Sequence, residues 1–452
     1  MTGERKRAFG ILTILLFFFL GMFAAYGVGV YNDSAQYIEM HIHREPLYPL
    51  FLLLCRKIAG ESAGLVLAAI LQNLFTAFTI LLLIEYLRKK FSLNFFGELV
   101  LLILELMPHI VTKYVSVKGI FLENSVMSEA LCIPLFQLFI LFMLRMLFDG
   151  KKRDVIVSLF IAYLLSMTRG QLMTTILIWM IAAEFLTLLR KQYKKLFLPI
   201  LVVLCVFGLR SLSVHTYNYC VTGYFMGNTY GKVNTLTNVM YACDEEDGEV
   251  FEEGSEERVF FAGFYEEADA CGANYRYAGN TIADKTAHLE EYHDILKFQI
   301  LEADLARYYF GFYDDYYIQS YLSDVMAGKM LKKLLPRCFG QWFYDYLLLC
   351  RHGFIRSIAV VHRWINPLVL ILYLAALSLS VIMCRKNRQS KAVYMMGFAL
   401  LFIAANVCAT SLTIMCLSRY MVYGFSLFYM AFFLLIVEWM RVMKWVKEKP
   451  EK

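Results

Sequence analysis

The stretch VIVSLFIAYLLSMTRGQLMTTILIWMIAAEFLTLL, residues 155–189, is apolar except near Thr168-Arg169-Gly170, and basic clusters flank both of its ends. Two membrane helices that meet at Arg169-Gly170 place both clusters on the same face, whereas one long helix would separate them. The first of these helices, 154–168, is shorter than the ~30 Å hydrocarbon core at about 1.5 Å per residue. We therefore expect the turn with Arg169 to lie recessed in a cavity.

Similar apolar stretches recur along the chain. The sequence has 452 residues, of which 59% are hydrophobic, and its mean hydropathy is +0.54, whereas a soluble protein is about 45–50% apolar. Since a span needs about 20 apolar residues, we predict an all-α polytopic membrane protein of about ten spans. The predicted spans are 8–29, 64–87, 95–111, 126–147, 154–168, 171–189, 196–214, 364–384, 393–415 and 420–441.

Basic clusters set the expected orientation. One cluster, Arg5-Lys6-Arg7, precedes the first predicted span, and every other cluster follows an even-numbered span. The positive-inside rule makes that face cytoplasmic. The sequence therefore predicts a multi-pass protein of the cell membrane with both termini in the cytoplasm. The first span resembles a signal peptide without a small-residue cleavage site, so we interpret it as a retained anchor.

Charge and cysteine content narrow the class of function. The net charge of +6 comes from basic residues beside apolar spans, where they orient helices, so we reject nucleic acid as a partner. The eleven cysteines form no C-x-x-C pair, which gives a zinc or iron–sulfur site little support. An extracytoplasmic disulfide between Cys243 and Cys271 is our first expectation for the cysteines of the largest loop.

Residues 215–362 are predicted to form that loop, a large extracytoplasmic segment. From Asp244 to Asp315 the chain has 20 of its 38 acids. We expect solvated, partly mobile loop around 244–258 and an interfacial helix within 329–356. The predicted organisation is an N-terminal transmembrane module (1–214), this loop domain (215–362) and C-terminal transmembrane helices (363–452).

Four ionisable residues from separate parts of the chain fall at the predicted outer ends of helices. Asp33 follows the first span, Glu129 opens the fourth, and Arg169 and Arg419 stand against the positive-inside trend. Each has an ordinary structural interpretation: an N-cap for Asp33, a helix-start pair with Ser125 for Glu129, and snorkelling to lipid headgroups for the arginines.

Together these residues indicate a different role. We expect one outer cavity to hold all four, because carboxylates beside cations suit transfer from a phosphate-linked donor. A carboxylate can deprotonate an acceptor hydroxyl. Guanidinium groups can stabilise a departing phosphate through bidentate charge-assisted hydrogen bonds.

The order of these features resembles the GT-C membrane glycosyltransferases, in particular the protein O-mannosyltransferases and the bacterial lipid A aminoarabinose transferases. The resemblance covers residues 1–190 best and 416–441 weakly. It rests on Asp33, Tyr37-Ile38, Arg44-Glu45-Pro46-Leu47-Tyr48-Pro49, Ser128-Glu129, Arg169 and Arg419-Tyr420.

The resemblance implies a GT-C-like fold, a polyprenyl-phosphate sugar donor, transfer on the outer face and inversion at the anomeric carbon. It implies that Asp33 is the catalytic base, with Glu129 as its rival. The donor phosphate would be bound by Arg169, Arg419 and Lys118, and the sugar or acceptor by Tyr37, Arg44 and Tyr48. The acceptor would be an envelope glycan, a lipid or a protein. Asn32 and Ser34 flank Asp33 where relatives often have an acid, which leaves a divalent metal little support.

Two other functions stay open on the sequence. A lipid-linked glycan polymerase, ligase or flippase would use the same donors, although a transporter should carry ionisable groups near the midplane of several helices. A non-catalytic assembly or sensor protein of the envelope would instead act through the segment 215–362.

Overall fold

The computed structural model of the chain describes residues 3–115, 119 and 121–448. Every regular element in those ranges is helical, and none of them is a strand. A single isolated bridge pairs Gly29 with Ser125. The predicted all-α class is therefore confirmed.

Nine helices within the described ranges are long and apolar enough to cross a membrane. They overlap nine of the ten predicted spans. By the length and composition of its helices, the chain is therefore a multi-pass membrane protein, as predicted. These helices are Gly3–Tyr26, Glu61–Phe91, Phe95–Tyr114, Ser128–Asp149, Gly170–Leu189, Tyr193–Thr222, Ile365–Lys386, Lys391–Ser411 and Tyr423–Met443.

The remaining predicted span, 154–168, is also helical but short. The helix Lys152–Thr168 has 17 residues, which corresponds to about 25 Å at 1.5 Å per residue. Arg169 ends it with an extended backbone (φ −154°, ψ 125°) and opens a 3₁₀ turn over Gly170–Met173. The break at Arg169-Gly170 is therefore present, while the ten-span count stays a prediction.

The helices that precede the middle region are numbered in chain order. They are α1 (Gly3–Tyr26), α2 (Ser34–Ile38), α3 (Leu47–Ala59), α4 (Glu61–Phe91), α5 (Phe95–Val115), α6 (Ser128–Asp149), α7 (Lys152–Thr168), α8 (Thr174–Leu189) and α9 (Phe197–Thr222). Most residues of α6 are buried, and it packs against α4 and α7. Helix α6 therefore lies near the centre of this group.

Helix α3 was not predicted. Its sequence LYPLFLLLCRKIA is amphipathic, but Pro46 and Pro49 made the stretch look like loop. A proline in the first turn costs little, because the N–H that it lacks would have no intrahelical partner. Gly60, with φ +88°, separates α3 from α4, and a glycine tolerates that conformation without a steric penalty.

The middle region is largely helical. A 3₁₀ helix over Glu245–Val250 and a helix that begins at Glu256 stand where loop was expected around 244–258, although many of these residues are solvent-exposed as predicted. The helices of this region are α10 (Gly231–Tyr241), α11 (Glu256–Ala270), α12 (Ile282–Asp294), α13 (Arg307–Phe310), α14 (Tyr316–Leu334) and α15 (Phe339–Arg356), with a π-helix at Ile295–Ala306. Asp244 and Asp247 form a capping box, and Ser255 caps α11. The acidic residues thus stabilise helix starts, where the backbone N–H groups favour them.

The expected disulfide between Cys243 and Cys271 is wrong for this structure. The eleven cysteines all lie within the described residues and are free. Cys243 is buried and its side chain lies beside Cys338, whereas Cys271 is exposed after the end of α11. Helix packing has therefore placed the two side chains in different surroundings.

The last helices are α16 (Ile365–Lys386), α17 (Lys391–Ser411), α18 (Ser418–Met421) and α19 (Tyr423–Glu448). The chain divides into two compact units instead of the three predicted domains. The membrane unit comprises Met1–Val214, Ile355–Asn406 and Leu417–Lys452, and the middle unit comprises His215–Phe354 and Val407–Cys416. The C-terminal helices thus complete the N-terminal module.

Candidate functional site

Two loops of the membrane unit are tied together by backbone hydrogen bonds. The Gly29 N–H donates to the Asn124 carbonyl at 2.9 Å, and the Val126 N–H donates to the Gly29 carbonyl at 2.8 Å. This pairing sets the end of α1 beside the start of α6. As a result, the residues that follow Gly29 and those that follow Val126 share one region.

Asp33 lies in that region between two guanidinium groups. Its Oδ1 is 3.0 Å from Arg44 Nη2, and its Oδ2 is 3.2 Å from Arg419 Nη2. Asp33 stands at the N-cap position of α2 but makes no capping hydrogen bond with its side chain. The carboxylate is therefore committed to the arginines, and the ordinary N-cap interpretation does not describe it.

Glu129 forms the second centre of the same network. Its Oε1 is 2.8 Å from Arg169 Nη1 and 3.8 Å from Arg419 Nε. The Ser125 hydroxyl donates to the Leu122 carbonyl, so it makes no helix-start pair with Glu129. Both arginines point at carboxylates instead of extending to the lipid headgroups. Arg419 joins the two acids, and the structure thus brings all four predicted residues together.

Exposure differs sharply along the network. The side chains of Asp33 and Arg419 are each 30% exposed, that of Arg169 is 14% exposed, and that of Glu129 is fully buried. An incoming ligand therefore meets Asp33 and Arg419 first. With Arg44 included, three guanidinium groups face two carboxylates. The excess of one positive charge favours an anionic ligand.

The charge state of Asp33 follows from its neighbours. Burial alone would raise the pKa of the Asp33 carboxyl, but the positive charges of Arg44 and Arg419 outweigh it and hold that pKa below its usual value. Asp33 is consequently ionised at neutral pH and can accept a proton. Each arginine that turns away would raise its proton affinity.

Arg44, Tyr37 and Tyr48 support this network. The Arg44 guanidinium donates to Gln36 at 2.8 Å and lies 4.8 Å from the centroid of the Tyr37 ring. The hydroxyls of Tyr37 and Ser128 are 2.9 Å apart. Tyr48 donates to Gln72 at 3.0 Å. Tyr37 and Tyr48 are both buried, so in this structure neither ring is available to the sugar or acceptor that we predicted for it.

Arg169 is held from its other side by Gln171, which the sequence did not single out, and by Tyr420, which was quoted only as the neighbour of Arg419. Its Nε donates to Gln171 Oε1 at 3.1 Å, and its guanidinium carbon lies 4.3 Å from the centroid of the Tyr420 ring. Gln171 and Asn406 both donate to the Tyr420 carbonyl at 3.1 Å. The recessed arginine is therefore fixed in place before any ligand arrives.

A second ionisable cluster lies within the same unit and was missed. His109 Nδ1 is 2.5 Å from Glu123 Oε1, and Gln137 donates to Glu105 at 3.3 Å. Glu105 Oε1, His109 Nε2 and Glu123 Oε2 have no hydrogen-bond partner among the described residues. Glu105 and His109 stand four residues apart in a predicted span. An ionisable pair at that spacing in an apolar helix was the signal that could have revealed the cluster.

A further ion pair, Arg210 with Glu45, was also missed. Glu45 belongs to the stretch that carries Arg44, and Arg210 lies in the predicted seventh span. Like Arg169 and Arg419, Arg210 stands at a predicted outer helix end against the positive-inside trend, which was the available signal.

Lys118, predicted to bind the donor phosphate, lies outside the described residues. Within the described ranges, no group of three or more His, Cys, Asp or Glu side chains could hold a metal ion.

Comparison with known proteins gives no relative: the chain matches no family model, no curated protein and no solved structure. The resemblance to GT-C enzymes therefore rests on the residues quoted above.

Proposed function

We propose that this protein is a membrane glycosyltransferase with a GT-C-like fold. It transfers a sugar from a polyprenyl-phosphate donor to a hydroxyl of an envelope glycan, lipid or protein. The observation that carries the proposal is the network in which Arg419 joins the part-exposed Asp33 to the buried Glu129. It combines a carboxylate that can take a proton with guanidinium groups that can bind a phosphate.

The reaction divides between these residues. The acceptor oxygen attacks the anomeric carbon while its proton passes to an oxygen of Asp33. The bond from the anomeric carbon to the phosphate oxygen breaks, and the polyprenyl phosphate leaves with the electron pair. Arg419 and Arg169 stabilise the charge that develops on that phosphate. Attack opposite the leaving group inverts the anomeric configuration.

Arg419 also couples donor binding to the basicity of Asp33. In the free protein it lies 3.2 Å from Asp33 and helps to keep the pKa of that carboxyl low, which makes the carboxylate a weak base. A donor phosphate that draws Arg419 away would raise the proton affinity of Asp33. Asp33 then becomes an effective base only once a donor is present.

The transfer reaction is tested in proteoliposomes with undecaprenyl-phosphate-linked hexose, pentose and aminopentose as donors. Membrane extracts supply the acceptor, and release of undecaprenyl phosphate is followed by mass spectrometry. We expect release with the wild type and its loss with Asp33→Asn. The matched control is Glu39→Gln in the same loop, since Glu39 is 63% exposed and pairs with His41 instead of with the network. Equal release by the wild type, Asp33→Asn and Glu129→Gln would refute the proposal.

The orientation needs its own test. We expect a cysteine at Glu253→Cys to react with a membrane-impermeant maleimide from outside intact cells, in a background in which the native cysteines are replaced. A cysteine at Lys152→Cys should react only after permeabilisation. Labelling of the Lys152→Cys variant from outside intact cells would contradict the predicted cytoplasmic location of both termini.

One observation favours a second candidate function, a flippase for lipid-linked glycans. Glu105 and His109 are buried within a predicted span, and transporters use buried ionisable groups of this kind. The discriminating experiment measures translocation of a fluorescent undecaprenyl-phosphate sugar across liposomes. Translocation that Glu105→Gln abolishes and Asp33→Asn spares would favour the flippase.

A further inference from the structure

Two cysteines of the middle unit lie side by side in its interior. Cys243 comes just after the end of α10, and Cys338 immediately precedes α15. Their side chains lie against each other. Cys243 is fully buried and Cys338 is 6% exposed. Both belong to the middle unit, and the proposed transfer reaction uses neither of them.

Packing around the two cysteines explains why they meet. The Cys338 thiol lies against the Val239 carbonyl, with 3.8 Å between sulfur and oxygen. Val239 stands in the last turn of α10, about one helical turn before Cys243. The Asn274 amide donates to the Cys243 carbonyl at 2.9 Å, and the Trp342 N–H donates to the Cys338 carbonyl at 3.0 Å. The fold therefore fixes the backbone at both positions and brings the two thiols to the same place.

Other cysteines of the middle unit have different surroundings. Cys271 is exposed, and its thiol lies 3.4 Å from the Ala268 carbonyl oxygen at the end of α11. Cys350 has Cys408 as a neighbour. Because a disulfide can join only cysteines whose side chains meet, the partner that the structure gives to Cys243 is Cys338.

We propose that Cys243 and Cys338 are joined by a disulfide in the folded protein, and that the structure shows the reduced form of this pair. The middle unit is predicted to lie outside the cytoplasm, where disulfides form and persist. As the S–S bond forms, the two thiols lose two protons and two electrons. The oxidant is a second disulfide, in a dithiol oxidase or a small molecule, which thiol–disulfide exchange reduces to two thiols.

The bond closes a long and strongly acidic segment of the chain. Residues 244–337 contain α11 to α14 and the stretch from Asp244 to Asp315, which has 20 of the chain's 38 acids. Like charges repel one another and destabilise a compact state. A disulfide restricts the unfolded chain, and the restriction grows with the length of the closed loop. The bond therefore holds a self-repelling segment together at its two ends.

Burial makes this bond structural. The neighbouring Cys338 thiol, burial, and the charges of Asp247 and Asp244 all raise the pKa of the Cys243 thiol. Because the thiolate is the form that attacks a disulfide, the folded and reduced pair reacts slowly, and the bond forms while the chain is still folding. Once the bond has formed, burial of both sulfurs limits the access of reductants.

The test is differential alkylation of the full chain isolated from membranes. Free thiols are blocked with N-ethylmaleimide in denaturant, disulfides are then reduced, and the new thiols are labelled with iodoacetamide. Peptide mass spectrometry should find only the second label on Cys243 and Cys338, and an unreduced digest should contain their two peptides joined. Cys271 is the internal control and should carry the first label.

Thermal midpoints in lipid nanodiscs measure the effect of the bond. Reduction of the wild type should lower the midpoint by at least about 5 °C. Cys243→Ser and Cys338→Ser should each have a similarly lowered midpoint that no longer responds to the reductant. Cys271→Ser is the matched control and should keep both the wild-type midpoint and its response.

Three results would overturn the proposal. The first is N-ethylmaleimide on both Cys243 and Cys338 in the wild type, and the second is a bond from either cysteine to a different partner. The alkylation experiment needs no variant, so it decides the pairing even if a serine variant fails to fold. The third result, equal midpoints before and after reduction, would remove the stabilising role. None of these results depends on transfer activity.

Discussion

Two ionisable clusters of the membrane unit, the site network and the cluster around His109, differ in charge and in access. The site network has three guanidinium groups against two carboxylates, and its outermost members Asp33 and Arg419 are 30% exposed. The second cluster has two carboxylates against one imidazole. Its members Glu105, His109 and Glu123 are at most 2% exposed.

This difference separates a site for an incoming molecule from an internal network. A cationic surplus that is partly exposed to solvent can bind a phosphate and exchange a proton with an acceptor. Under the transferase proposal, the closed cluster shares protons among its own members or fixes the backbone that supports it. Glu123 belongs to the segment that leads into α6, so the closed cluster supports the start of the helix that carries Glu129.

The largest effect should come from breaking the buried ion pair of the site network. Arg169→Met leaves the Glu129 carboxylate, which is fully buried, without its nearest cation. Removal of one partner of a buried pair costs about 3–5 kcal/mol, so the thermal midpoint in detergent should fall steeply. Arg190→Met, at an exposed helix end, is the control and should change little. Addition of Glu129→Gln to Arg169→Met should restore part of the loss, and a double variant that is less stable still would contradict the pairing.

Next in size is the loss of the base. Asp33→Asn keeps the shape of the side chain but cannot take the acceptor proton, so turnover should fall at least about 100-fold with donor binding largely retained. Single-turnover transfer measured at saturating donor checks this. Glu129→Gln is measured beside it. Near wild-type transfer by Asp33→Asn together with an inactive Glu129→Gln would assign the base to Glu129.

A buried acid of the middle unit, Asp345, extends the comparison to pH. Burial raises its pKa from 3.8 to about 7, so the folded state binds more protons than the unfolded state between those values. The stability associated with its protonated form is complete below pH 4 and is lost as pH rises through about 7. Relative to the wild type, Asp345→Asn should therefore gain on the order of 2 kcal/mol between pH 5 and 7. Thermal midpoints of both proteins across that range give the answer, and parallel curves would argue against a raised pKa.

A smaller effect on transfer is expected when the positive charge at position 419 is kept but the planar guanidinium group is lost. Arg419→Lys retains a cation between Asp33 and Glu129 but lacks the planar fork that binds two partners at once. We expect about a 10-fold rise in the donor concentration required for half-maximal transfer, on the scale of one charge-assisted contact. Unchanged donor dependence would indicate that Arg419 only links the two acids.

The smallest effect on transfer should follow from the closed cluster. Glu105→Gln keeps the length of the side chain and its capacity for hydrogen bonds, but it cannot carry a negative charge. Under the transferase proposal, turnover should therefore change by less than about 3-fold, as expected for an ordinary packing change. His109→Gln provides a second variant. A 100-fold loss of turnover in either variant, with the thermal midpoint unchanged, would show that the closed cluster takes part in the reaction. The two clusters would then not differ in function as proposed.

Several features of the site could be predicted from the sequence because they depend on local composition. Asp33, Glu129, Arg169 and Arg419 stood out as ionisable groups at the ends of apolar stretches, and the structure places them together. Their partners could not be predicted: Gln171 and Asn406 are ordinary residues until the fold brings them around Arg169, and Tyr420 was quoted only as the neighbour of Arg419. Tyr48 looked available for a ligand in the sequence, but packing against Gln72 buries it.

The sequence by itself determined that this is an all-helical membrane protein, and it placed the nine long apolar helices. The physical reason is that a bilayer leaves an apolar stretch of about 20 residues no way to satisfy its backbone other than a helix. Tertiary structure decided the rest: that residues 215–354 fold into helices, that the C-terminal helices complete the N-terminal module, and that Arg419 lies between Asp33 and Glu129. Those outcomes depend on contacts between segments far apart in the chain, which no local pattern of hydrophobicity or charge specifies.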